Sequence, residues 1–294
     1  MNDNDDKTGY KKTAEGLGVK KDYKMTFTAM AIVWLWAAFL SMIAISSVFS
    51  SINFWVRIAL SAAAGVIITP VMFYLVLPRM DKERSYFKKI TFRFNSEGMS
   101  HELAAEIDAH LRVTGFTDYN KSYFNMYLQL LIVYNLNMMN FPECMRLLDL
   151  TDKQVLQELY RYPTGKQEMV THHYLRILTV SQMGDLHALE YFYGDASRIF
   201  HECRGLNRLA DGMIDESRAM REIAHGRLND AESIMQPYAN EPAIRQDYCS
   251  IVGRCAALLG DRERAGKLFD EAYSLAKNDF QRESVQRERN SLSV

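Results

Sequence analysis

Two long apolar stretches dominate the hydrophobic pattern. Between Lys24 and Arg57, and again between Arg57 and Arg79, the chain carries no Asp, Glu, Lys, Arg or His. The pattern predicts helices over 27–49 and 58–77, each long enough to cross a hydrocarbon core of about 30 Å. Ser46, Ser47, Ser50, Ser51 and Asn53 interrupt the apolar run. They predict a tight polar turn, with Phe54 and Trp55 at the membrane–water interface. A cleaved signal peptide is the alternative for the first stretch, because Ala44-Ile45-Ser46 has small residues at a cleavage-like spacing. The length of the run, and the second span that follows at once, favour a transmembrane hairpin. Ala37 with Ser41, and Ser61 with Gly65, place small residues four apart. Such pairs let the two spans pack closely, or let copies of the hairpin associate into a homo-oligomer. Pro70 is expected to kink the second span.

Beyond Met99 the apolar positions recur at helical spacing. Helices are predicted at 99–113, 120–139, 142–150, 152–161, 166–183, 186–203, 207–225, 228–238, 242–259 and 262–277, with a polar final helix near 279–290. Alternation from Ile90 to Phe94 suggests one short extended piece. Pro142, Pro163, Pro237 and Pro242 fall at helix ends or turns, where proline is tolerated. The stretch 122–142 has no charge either and is the alternative third span. Its five side-chain amides, Asn125, Gln129, Asn135, Asn137 and Asn140, would go unsatisfied in hydrocarbon. They favour a helix buried in protein. The aromatics Tyr119, Tyr123, Phe124, Tyr127 and Tyr134 recur at helical spacing and read as core.

The last four helices before the polar one contain a period. His225-Gly-Arg-Leu-Asn-Asp-Ala231-Glu-Ser-Ile-Met235 matches Leu259-Gly-Asp-Arg-Glu-Arg-Ala265-Gly-Lys-Leu-Phe269 at a shift of 34 residues. Glycine makes the tight turn between antiparallel helices, alanine admits the second helix closely, and Met235 or Phe269 fills the space between them. On these residues the segment of about 212–277 resembles the tetratricopeptide repeat family. Gly253, Gly260, Ala265, Phe269 and Ala272 occupy the family's small and aromatic positions, while Cys249 stands where an aromatic is usual and the closing proline is missing. Met183-Gly184-Asp-Leu-His-Ala-Leu and Met139-Asn140-Phe-Pro-Glu-Cys-Met look like further turns of this kind without the 34-residue spacing. The resemblance implies an α-solenoid of helix-turn-helix pairs, capped by the last helix. It also implies a concave face that binds a protein or peptide partner through Glu216, Met220, Asp247, Ser250 and Arg254.

Charge adds an orientation. The net charge of -1 over 294 residues hides three segments. Residues 1–24 hold six Lys and five acids. Residues 57–93 hold seven basic and two acidic groups, which leaves -7 for residues 94–294. Basic residues on both flanks of the hairpin place its two ends on the cytoplasmic side of the cell membrane, with the helical body inside. Arg79, Lys82, Arg84, Lys88, Lys89 and Arg93 form a basic collar expected to contact anionic lipid headgroups. Four domains follow: a disordered tail (1–24), the hairpin (25–78), a basic juxtamembrane linker (79–97) and a helical-repeat body (98–294). The acidic body argues against a nucleic-acid partner.

Chemistry-bearing patterns are scarce. Cys144, Cys203, Cys249 and Cys255 show no Cys-x-x-Cys spacing and read as small core residues. His172 and His173 are adjacent, about 100° apart on a helix, so they cannot chelate as an i, i+4 pair. His201-Glu-Cys-Arg-Gly lacks the second histidine of a zinc-protease helix. No phosphate loop, dinucleotide fingerprint or Gly-x-Ser-x-Gly elbow occurs, so no metal, cofactor or catalytic residue is expected. The sequence thus reads as an all-α, membrane-anchored cytoplasmic scaffold or adaptor. The alternatives are an accessory subunit of a membrane transport or secretion complex, and an enzyme whose residues assemble from distant positions.

Overall fold

The computed structural model describes residues 82–115 and 121–292, together with Val56. The candidate spans, the 1–24 tail and Arg79 lie outside the described residues. No helix among the described residues is long and apolar enough to cross a membrane. The chain divides into two compact units. Of the smaller one, residues 19–89 and 117–120, only Val56 and 82–89 are described. The described part of the larger unit begins at Ile90 and contains the helical body.

Every regular element among the described residues is a helix. We number them α1 (82–97), α2 (His101–Thr114), α3 (Lys121–Asn137), α4 (Phe141–Leu150), α5 (Lys153–Leu159) and α6 (Pro163–Met183). They continue with α7 (Leu186–Cys203), α8 (Arg208–Ala224), α9 (Leu228–Met235), α10 (Arg245–Leu258), α11 (Arg262–Leu275) and α12 (Asp279–Ser291). The expected extended piece at 90–94 is helical instead. Phe87, Ile90 and Phe94 recur at spacings of three and four, and the helical period prevails over the five-residue alternation. Ile90 is fully buried, and Arg93 pairs with Glu97 and Glu106, so the body reaches back into the basic segment.

Four turns share one hydrogen-bond pattern. At Met139, Gly184, Gly226 and Gly260 the residue has φ of 55°, 72°, 73° and 82°. Its amide bonds the carbonyl three residues back, and the next amide bonds the carbonyl five residues before it. The residue five beyond, Cys144, Leu189, Ala231 or Ala265, is fully buried. These turns join α3 to α4, α6 to α7, α8 to α9 and α10 to α11. Asp185 and Asp261 cap the following helices by accepting from Ala188 N and Arg264 N. Small residues then allow close approach: a side chain on Gly253 would place its Cβ 3.3 Å from the Phe269 ring.

The amide-rich helix α3 is packed inside this body. Asn125 exchanges two bonds with the Asp152 backbone (2.9 and 3.0 Å), and Gln129 donates to Glu168 O. Asn135 donates to Leu131 O, Asn140 donates to Asn135, and Asn137 accepts from Ser284. Each of the five amides thus has a protein partner, which hydrocarbon would not supply. Phe124 and Tyr127 are fully buried as expected of core residues.

The first helices of successive pairs form an inner row, α3 against α6, α6 against α8 and α8 against α10. The last helix does more than cap it. Asn278 accepts from Gln281 N to start α12, and its amide donates to Glu97 O (2.6 Å) and Met99 O (2.8 Å). Lys277 donates to Asn95 O, and Arg287 donates to Asn137 O. The Phe280 ring stacks on Tyr134 with centroids 5.3 Å apart, and it meets His101 edge-on. One helix therefore joins the end of the body to its beginning.

Candidate functional site

The residues singled out for partner binding come together on the inner row. Asp247, Ser250 and Arg254 recur at three- and four-residue spacing on one face of α10, about a quarter turn from Gly253, which meets α11. Glu216 and Met220 lie one turn apart on the neighbouring α8. The structure divides the five by access. Asp247 is exposed, Ser250 and Arg254 are half-buried, and Glu216 (6%) and Met220 (4%) are buried. The latter two therefore support the face from beneath. Two residues absent from the sequence-based set complete it: Tyr174 on α6, hydrogen-bonded to Glu216, and Glu288 on α12.

A ladder at the repeat period runs across this face. The Arg254 guanidinium donates to Glu288 Oε1 at 2.6 Å, and its other terminal nitrogen meets the Met220 sulfur at 3.8 Å. Both partners are 34 residues from Arg254. Extending the 34-residue shift one step past Arg254 would have found Glu288. Nothing local in the sequence marks Tyr174.

The electrostatics of the face are acidic. Burial, and then the charge of Asp247, pushes the Glu216 carboxyl well above the usual carboxylate range, against the opposing hydrogen bond from Tyr174. Burial, followed by the charges of Glu216 and Asp247, raises the Tyr174 hydroxyl. Asp247 is raised by the surrounding protein and then by Glu288, although solvent at its open side screens part of this effect. Among the described residues no basic side chain pairs with Glu216 or Asp247.

A second polar file lies along α6, away from this face. Glu168, His172 and Arg176 follow one another at four-residue spacing, and Glu168 Oε2, His172 Nδ1 and Arg176 Nε are buried without hydrogen-bond partners. Burial pushes Glu168 up to about 7. Burial first, and then the charges of His173, Arg176 and Lys153, pulls His172 down to about 3. Both groups are held towards their neutral forms.

No protein-family model, curated protein or solved structure matches this chain.

The four cysteines are free and buried, and burial pushes Cys144 up to about 12 and Cys249 and Cys255 up to about 11. Such thiols hold their protons at neutral pH and are poor nucleophiles. No group of three potential metal ligands occurs among the described residues. The two best-formed depressions there measure about 150 and 210 Å³, smaller than the 300–1,000 Å³ typical of small-molecule pockets. The first adjoins Arg254, between the α6–α7 turn and the end of α8. In the collar, Lys82, Arg84, Lys88 and Lys89 lie on the exposed side of α1, with Phe92 (72%) on the same side. Arg93 is half-buried and ion-paired with Glu97 and Glu106.

Proposed function

We propose that this chain is a two-span, membrane-anchored cytoplasmic scaffold whose tetratricopeptide-like body holds a protein or peptide partner on its inner helix face. The observation that carries this reading is the convergence of the sequence-selected residues on one face of the stacked helix pairs. Four equivalent turns, two of them 34 residues apart, support the likeness to a helical-repeat solenoid. The shallow depressions suit an extended ligand better than a small enclosed one. Two charge-free stretches with basic flanks support the anchor and its orientation, and the exposed basic side of α1 suits contact with anionic lipid.

The test pairs topology with retention of partner. Single cysteines introduced at exposed positions of the 94–294 body should resist membrane-impermeant maleimides in intact cells and react after lysis; labelling from outside sinks the orientation. Affinity capture should return the same partner when the hairpin is replaced by an unrelated two-span anchor. Loss of the partner on that exchange would instead support an accessory subunit whose hairpin packs into a larger membrane complex.

A further inference from the structure

We propose that the polar file of α6 is an internal hydration site, in which two water molecules join Arg176, His172 and Glu168 on the side of α6 that faces α3, α4 and α5. The neighbours define that side. Gln129 of α3 donates to Glu168 O, Asp149 of α4 pairs with Arg176, and Lys153 of α5 acts on His172 through its charge. Three atoms in this file, Glu168 Oε2, His172 Nδ1 and Arg176 Nε, are buried and reach no partner in the protein. Buried nitrogen and oxygen atoms are almost always hydrogen-bonded in folded proteins, so three orphans in one line need a common explanation. The line is regular. Side chains four residues apart on a helix start about 5–6 Å apart, and one water bonded at about 2.8 Å to each side spans the same gap.

Charge decides for water over other small ligands. Arg176 is already neutralised by Asp149, 3.3 Å from Nη2, and its guanidinium covers the Phe192 ring at 4.4 Å, so an anion finds no unpaired charge there. A cation meets Arg176 and Lys153, and the two ligating side chains of the file are both held towards their neutral forms. Water satisfies the whole set. Arg176 Nε only donates, so the first water accepts from it, gives one proton to His172 Nδ1 and gives the other to the second water, which donates to Glu168 Oε2. Every orphaned atom then has a partner, each water makes two or three bonds, and His172 is fixed as the tautomer protonated on Nε2. Solvent reaches the file from its ends, since Glu168 and Arg176 are half-buried while His172 between them is 3% exposed.

The experiment is X-ray radiolytic footprinting of the full-length chain in detergent micelles, which oxidises side chains beside bound water, read residue by residue by mass spectrometry. The buried His172 should be oxidised within about tenfold of the rate of His187, an exposed histidine on α7, because both touch water. Phe124, fully buried in apolar surroundings, marks the rate of a dry side chain. Glu168→Met takes away the acceptor at the end of the file and should slow His172 about threefold or more, with His187 unchanged. Glu168→Gln keeps an acceptor and should keep the rate, so the proposal remains testable if the methionine variant does not fold. A crystal structure at a resolution that shows ordered water should place one water between Arg176 Nε and His172 Nδ1 and a second against Glu168 Oε2. Oxidation of His172 more than about tenfold slower than that of His187 overturns the proposal. So does a folded Glu168→Met variant with an undiminished rate, or a crystal structure in which Glu168 bonds His172 directly.

Discussion

Met139 is a non-glycine residue held in the left-handed region, at φ 55°, where its three counterparts are glycines. A side chain there costs about 1–2 kcal/mol, partly offset by the extra backbone freedom that glycine brings to the unfolded chain. Met139→Gly is therefore expected to stabilise the body by up to about 1 kcal/mol in urea unfolding, because Met139 is already 36% exposed and contributes little packing. The α6 file gives a second prediction, with two opposed slopes. His172 is pulled down to about 3 when folded, against an ordinary 6.5, so the unfolded chain binds a proton that the folded one refuses. Its stability is intact above about pH 6.5 and is lost as pH falls, by about 2 kcal/mol at pH 5. Glu168, raised to about 7, works the other way: its folded form keeps a proton, so stability is lost as pH rises from the ordinary carboxylate range through about 7. Between these limits the slopes oppose each other. His172→Gln should leave stability that declines as pH rises, and Glu168→Gln stability that declines as pH falls. Identical pH profiles for both variants would show that the pair carries no such balance.

Among the described residues, the hydrogen bonds that span the most sequence are made at α12 and its cap. Asn278 caps that helix and satisfies Glu97 O and Met99 O across the closure. Asn278→Ala should cost about 2 kcal/mol, roughly one for the cap and the rest for two carbonyls left without a donor. Hydrogen exchange should locate the loss in α2 and the start of α12 together; a loss confined to α12 would mean that the clasp contributes nothing to α2. The helices themselves were largely legible, since caps such as Asp185, Asp261 and Asn278 and the prolines at helix starts mark local boundaries. The closure was not, because bonds between residues about 180 apart leave no periodic trace in either segment. The extended reading of Ile90 to Phe94 failed for a related reason: five alternating residues fit a strand locally, and only Phe87 and the buried Ile90 reveal the helical stripe. At the candidate face the repeat register pointed to α8 and α10, and it could not say that Glu216 and Met220 would lie beneath Asp247 and Arg254. That depends on how tightly neighbouring inner helices pack.

For the whole molecule, the near-neutral total charge is misleading in a useful way. The acidic share resides in the body, and part of it is collected at the inner face, while the basic share flanks the two charge-free stretches and lines the exposed side of α1. If that basic share meets an anionic bilayer, as proposed, raising salt should weaken the contact. The clasp made by α12 also sets a schedule for synthesis. Asn95 and Met99 leave the ribosome long before Lys277 and Asn278, their partners across 182 and 179 residues. At about 5–20 residues per second, that interval is about 10–40 s. Throughout it the carbonyls of Asn95, Glu97 and Met99 and the His101 ring at the start of α2 wait without the residues that close on them. Nascent body is thus exposed to chaperones and proteases until translation is nearly complete, and a premature stop before Asp279 leaves a chain marked for degradation.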